Sequence, residues 1–245
     1  MHVQPKMHVQ PNLSSTWHTA GFLGTRTINA DAVASHIDDV TGGLVVALAD
    51  GVGDLRSSAR AALLAATTAV AVPVADGPGA ALLAAQRAVH ADPTAGDCVL
   101  VVAQPFGVGY RIAWVGDVRA YSWDGQALRQ LTHDHTVAQY FRDRGTVPSP
   151  AMEHQVLTSV RTAPATKFGL ASLSIPTRLI LTSDGVHKPL PHEAMTEIVR
   201  YAGDPATALV DAAREAGGTD NATAVVVDNA FLPPTGPQPL LPAVA

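Results

Sequence analysis

Four aspartates stand where this chain could do chemistry. Asp50, Asp117, Asp184 and Asp220 each lie where an apolar run meets a short turn, in LVVALADGVGD (44–54), IAWVGDVRAYSW (112–123), LILTSDGVHK (179–188) and GGTDNATAVVV (217–227). Glycine or asparagine stands beside each one. An ionised carboxylate at a buried strand end is costly unless something positive pairs with it. Four of them, from distant parts of the chain, suggest one shared and highly charged object. A cluster of divalent metal ions is the simplest candidate. Carboxylate oxygens are hard donors and favour Mg²⁺ or Mn²⁺ over zinc. The sequence has one cysteine, Cys98, and no Cys/His set at zinc spacing, which excludes the usual structural zinc sites. Gly51 lets its own backbone approach closely, so its carbonyl is a further candidate donor. Any single Asp-Gly pair is ordinary turn chemistry. The weight comes from four turns in the same apolar setting.

The surrounding pattern must position these turns. Strand-like segments are expected at 17–24, 32–36 and 44–49, followed by helices at 55–72 and 78–90. Asp54 precedes the first helix and is a candidate N-cap. Four strands run from Cys98 to Leu131, separated by hairpin-type turns. A polar stretch, 132–164, contains one helix near 136–144. Strands at 168–175 and 178–182 lead into helices at 191–201 and 205–216, the second opened by the cap pair Asp204-Pro205. A strand at 222–228 closes the domain. Hairpins outnumber βαβ crossovers, so an α+β fold with largely antiparallel sheets is expected, in a four-layer α-β-β-α sandwich flanked by helix pairs. The domain should span 17–229. Residues 1–16 and the Pro-rich tail 230–245 are expected to be disordered.

Composition narrows the partners. The 245 residues allow one large core, and 47% hydrophobic against 15% charged residues marks a globular chain. A net charge of -5 with no basic run argues against nucleic acid or an anionic membrane as partner. No apolar stretch is long enough to span a bilayer, and the first residues lack the basic, apolar, small-residue pattern expected of a signal peptide. A lone cysteine fits a reducing cytoplasm. A monomer is expected.

The ordered set Arg26-x-x-Asn29-x-Asp31, Asp50-Gly51-x-Gly53, Gly116-Asp117-x-Arg119, Leu131-Thr132-x-Asp134-His135, Ser183-Asp184-Gly185 and Asp220-Asn221 resembles the metal-dependent Ser/Thr protein phosphatases, the PPM or type 2C family, in its compact bacterial form. The resemblance implies a binuclear Mn²⁺ or Mg²⁺ centre that hydrolyses phosphoserine and phosphothreonine in proteins by a metal-bridged water, opposing a Ser/Thr kinase. By motif, Asp50 bridges the two ions and Gly51 offers its carbonyl to the second. Asp184 and Asp220 complete the first ion's carboxylates, and Asp117 with Asp184 matches an accessory third site. Arg26 holds the substrate phosphate, for which its planar fork is suited. The stretch 132–164 matches a variable flap beside the active site.

The chain also departs from the pattern. Ala30 stands where an acidic or amide residue is usual, so a ligand of the second ion is missing; either Asp31 compensates or that ion binds more weakly. Asp54 replaces a glycine, as the N-cap or as a new carboxylate of the metal shell. Val52 leaves leaving-group protonation to water. Lys188 replaces a common acid and is read as a surface residue. His135 and His187 are read as capping, packing or exposed residues, and Cys98 as core. Arg119 either pairs within the sandwich or meets substrate. The loss at Ala30 also raises an alternative: a catalytically weak phosphatase-like module used for binding or regulation.

Overall fold

A computed structural model describes residues 16–228. The two terminal segments lie outside these residues, except for Thr16, whose carbonyl accepts a hydrogen bond from Asp228 N at 2.8 Å. The polypeptide forms two five-stranded sheets, both antiparallel throughout. One sheet orders its strands β2 (Asp31–Ile37), β3 (Leu44–Gly51), β4 (Cys98–Phe106), β5 (Gly109–Val115) and β8 (Gly169–Ser172). The other orders β1 (Trp17–Phe22), β10 (Ala222–Val227), β9 (Arg178–Thr182), β6 (Arg119–Trp123) and β7 (Leu128–Gln130). Helices α1 (Arg56–Val70) and α2 (Pro78–Ala91) cover the first sheet, and α5 (His192–Tyr201) and α6 (Pro205–Glu215) cover the second. The layers are those expected from the strand and helix order.

Side chains alternate faces along a strand, and this alternation aims the site. In β3, Val45, Ala47 and Ala49 pack against α1, whose facing residues Ala61, Ala62, Ala65, Ala66 and Ala69 are small enough to let helix and sheet approach closely. Leu44, Val46 and Leu48 face the opposite way, into the layer between the sheets, with Val101, Ile112, Leu181 and Val225. Each of these buried aliphatic side chains contributes roughly 1.5–3 kcal/mol. Asp50 is the next residue of the inward series. In β2, Val33 packs into the same inter-sheet layer, and Asp31 precedes it by two positions. Strand parity therefore carries both carboxylates to the open end of an otherwise apolar layer.

Several local expectations change. Asp54 does not cap α1. Leu55 occupies the cap position with no side-chain hydrogen bond, while the Asp54 carboxylate turns back and accepts from Thr27 N at 3.4 Å and Thr27 Oγ1 at 3.3 Å. Asp204 does cap α6, accepting from Thr207 N at 3.2 Å. A short helix not expected from the pattern, α4 (Asp184–His187), follows β9 directly. Between β7 and β8 the chain forms α3 (Val137–Arg142) and a 3₁₀ turn (Pro150–His154). This stretch is tied down near its end. The Arg161 guanidinium donates to the carbonyl of Val89, in the last turn of α2 where free carbonyls favour a cation, and to that of Ala95 in the loop beyond, both at 2.8 Å. No helix among the described residues is long and apolar enough to cross a membrane.

Candidate metal centre

The four aspartate turns and Arg26 come together at one end of the sandwich. Asp50 ends β3, Asp117 follows β5, Asp184 opens α4 and Asp220 lies two residues before β10. They line a cavity of about 270 Å³ together with Arg26, Gly51, Asp54, His154 and Lys188. The loops are locked to each other by hydrogen bonds to backbone groups. Asn221 Oδ1 accepts from Ala30 N at 2.8 Å and Asn221 Nδ2 donates to Leu23 O at 2.8 Å, which joins the Arg26 loop to the Asp220 turn. Gly51 N donates to Ala30 O at 3.0 Å. A Cβ on Gly51 would lie 2.7 Å from Ser58 backbone and 3.0 Å from Ala30 Cβ, so only glycine fits between α1 and the Ala30 turn.

Five carboxylates line this cavity, on Asp50, Asp54, Asp117, Asp184 and Asp220, against the two cations Arg26 and Lys188. The charge is strongly unbalanced. Arg26 Nη2 lies 2.6 Å from Asp220 Oδ2. Lys188 Nζ lies 2.6 Å from Asp184 Oδ2 and 3.0 Å from Asp117 Oδ2. The Asp50 carboxylate has no hydrogen bond or ion pair to the described residues. Burial, and then the charges of Asp31, Asp184, Asp117 and Asp220, push its carboxyl well above the usual range. Asp31 lies beside it. Its Oδ2 accepts from Ser183 Oγ at 2.7 Å, while its buried Oδ1 has no partner. Burial raises the Asp31 carboxyl to about 7, against the lowering effect of its hydrogen bonds.

The donor chemistry fits hard divalent cations. Crowded oxygen donors with an unpartnered buried oxygen and a surplus of negative charge are what Mg²⁺ or Mn²⁺ would neutralise. Asp50, Asp184, Asp220 and the Gly51 carbonyl are the residues that would hold the main centre, with Asp31 beside them. Among the described residues no three Asp, Glu, His or Cys side chains are drawn into one tight cluster. Arg26 and Lys188 each hold carboxylates of the set in ion pairs. Ala30 is buried and supplies no side-chain donor.

Lys188 is not the surface residue expected from its position after the Ser-Asp-Gly turn. Its side chain is only 20% exposed and bridges two site carboxylates. Burial opposes its charge, and the Asp184 and Asp117 carboxylates overcome that and hold it well above the usual lysine range. His154 was also missed; it enters the cavity from the 3₁₀ turn of the flap-like stretch, with no pattern in the sequence to announce it. Arg119 pairs within the sandwich: its Nε and Nη2 meet Asp134 at 2.9 and 2.6 Å. His187 is buried, 2.9 Å from Thr182 Oγ1, and burial with the Arg119 and Lys188 charges holds its imidazole well below the usual range. His135 Nδ1 lies 2.9 Å from Thr158 Oγ1. Cys98 is buried in the layer beneath α1.

A two-sheet sandwich between helix pairs, with an acidic cavity at the end of the inter-sheet layer, defines the class. No family model matches the chain. It is 27% identical over 226 residues, 86% of its length, to the serine/threonine protein phosphatase PstP of Mycobacterium tuberculosis, and spans 38% of that protein. The PPM Ser-Thr phosphatase MsPP of Mycobacterium smegmatis, solved with cacodylate, superimposes with a TM-score of 0.69 at 25% identity, over 87% of this chain and 97% of that one. The catalytic domain of PstP, solved with two manganese ions, superimposes with a TM-score of 0.73 at 24% identity, over 89% and 99%. The chain is thus similar in sequence to a Ser/Thr protein phosphatase and in fold to PPM Ser-Thr phosphatases.

Proposed function

We propose that this chain is a Mn²⁺- or Mg²⁺-dependent phosphatase that removes phosphate from serine and threonine of phosphoproteins. The observation that carries the reading is the meeting of Asp50, Asp184 and Asp220 with Arg26 around one cavity. Ions bound there would neutralise phosphoryl charge and lower the pKa of a water. The chain's own groups supply the rest. Arg26 is placed to take phosphate oxygens by its guanidinium fork, and the Gly51–Ser58 packing holds the Asp50 turn in position. Phosphoryl transfer depends more on positioning and charge than on covalent help, and the cavity supplies both. The relatives named above are Ser/Thr phosphatases, which supports phosphoprotein substrates. Opposition to a Ser/Thr kinase, a monomeric state and a cytoplasmic setting belong to the same reading.

The test is hydrolysis of phosphoserine and phosphothreonine peptides by the full chain in saturating Mn²⁺. Turnover is expected with metal and is abolished by EDTA or by Asp50→Asn. Turnover that survives either would overturn the reading. A second reading, a binding module with little turnover, is favoured by Ala30, which is buried and offers no donor. Tight Mn²⁺ binding without phosphopeptide hydrolysis would select it.

A further inference from the structure

Two of the site carboxylates are already bridged by a cation of the chain. Asp117 follows β5 and Asp184 opens α4, and Lys188 follows the last residue of that helix. The i,i+4 spacing brings its ammonium over Asp184, and the loop after β5 brings Asp117 to its other side. The side chains of Asp117, Asp184 and Lys188 are 4%, 18% and 20% exposed, so little solvent screens the arrangement. A lysine ammonium is a compact point charge with three donors. Here two of them are engaged by Oδ2 of Asp117 and Oδ2 of Asp184. These are the oxygens an accessory divalent ion would need. Asp184 Oδ1 has no partner among the described residues, so the main centre can still use it.

We propose that Lys188 is a built-in cation in the place of an accessory metal ion: its ammonium closes the Asp117–Asp184 site and leaves this chain with two metal sites instead of three. The proposal rests on the phosphatase reading for its two main sites. The physical argument is exclusion. A divalent ion between Asp117 and Asp184 would have to share both oxygens with an adjacent ammonium, and like charges at that separation repel. Removing the ammonium while keeping both carboxylates leaves a buried diacid, which is a good hard-cation site.

Metal stoichiometry tests this directly. EDTA-stripped full-length protein would be titrated with Mn²⁺ by calorimetry, with bound metal counted after equilibrium dialysis. The wild type is expected to bind two ions per chain, and Lys188→Met one more than the wild type. The Lys188→Met, Asp117→Asn double variant should return to the wild-type count. Asp117→Asn alone should leave the count unchanged, and this variant keeps the proposal testable if Lys188→Met does not fold. Three ions on the wild type, a lower count in Asp117→Asn, or no gain in Lys188→Met would each overturn the proposal while leaving the phosphatase reading intact. A wild type that binds no Mn²⁺ would instead overturn the phosphatase reading beneath it.

Discussion

Asp31 and Asp50 are direct register partners across the β2–β3 ladder. Like charges placed opposite each other destabilise a sheet, and here both lie at the end of a buried layer. The fold holds them because neither needs to be fully ionised while metal is absent: the Asp31 carboxyl is raised to about 7 by burial, and that of Asp50 is raised well above its usual range by burial and its acidic neighbours.

A pH prediction follows from that pair. A carboxyl raised in the folded state gives a contribution that is fully present below its unfolded value, near 4, and lost as pH climbs through about 7. Asp31→Asn removes the titration. The melting temperature of the EDTA-treated variant should therefore gain on the wild type as pH rises from 4 to 7, then level off. Comparing the two proteins cancels the opposing contribution of His187, whose lowered value makes acid destabilising. A difference that stays flat across this window would contradict the assignment. Saturating Mn²⁺ should shrink it.

Asp50→Asn should separate stability from activity. The change removes a carboxyl whose ionisation the fold opposes and that has no ion pair, so at neutral pH the metal-free protein should melt higher than the wild type. Activity should fall by more than about 100-fold, since losing only an outer partner of a metal ligand costs about 10–100-fold. Functional sites commonly trade stability in this way. Paired melts and phosphopeptide kinetics would check it; a variant both less stable and fully active is the contrary result.

Arg26 makes a half-exposed ion pair with Asp220, 2.6 Å from Nη2 to Oδ2. Exposed pairs of this kind contribute at most about 1 kcal/mol, so Arg26→Ala should barely move the melting temperature. A charge-assisted bond to phosphate is worth about 1.5–3 kcal/mol, which corresponds to a loss in kcat/KM of roughly 10- to 150-fold. Arg26→Lys should recover only part of that loss, because the fork geometry is gone. Steady-state kinetics on both variants decides; unchanged kcat/KM would remove Arg26 from substrate binding.

What could be read from the sequence was the part governed by local rules. Alternation in LVVALAD places Asp50 on the inter-sheet face, and the same parity holds in β9 and β10, where Leu179, Leu181, Val225 and Val227 face that layer. Hairpin turns gave the antiparallel sheets. The partners of long charged side chains were not readable, because they depend on contacts across the chain. Asp54 looked like a cap and instead meets Thr27, 27 residues away. Lys188 looked exposed because nothing local shows that Asp117, 71 residues earlier, lies beside it. Ser183 likewise looked like part of a turn. Its hydroxyl donates to Asp31 and accepts from Thr223 N, at 2.7 and 2.9 Å, and so ties three segments together.

Gly185 offers the sharpest test of how closely these segments must meet. It follows Asp184 in α4 and is buried against the Asp220–Asn221 turn. A Cβ there would lie 2.0 Å from Asn221 O, 2.8 Å from Asn221 C and 3.1 Å from Ala222 Cα. All three are backbone atoms, so no rotamer change relieves the clash. Gly185→Ala must push α4 away from the turn that carries Asp220. Overpacking typically costs about 1–3 kcal/mol, and the same displacement separates Asp184 from Asp220. The variant should therefore lose Mn²⁺ affinity together with stability. Gly203→Ala is the control, since a Cβ there meets nothing within 4 Å, and its stability should stay within about 0.5 kcal/mol of the wild type. Chemical denaturation and Mn²⁺ titration of both variants provide the check. A Gly185→Ala protein that binds Mn²⁺ as tightly as Gly203→Ala does would show that the close approach of α4 to the Asp220 turn does not set the metal site.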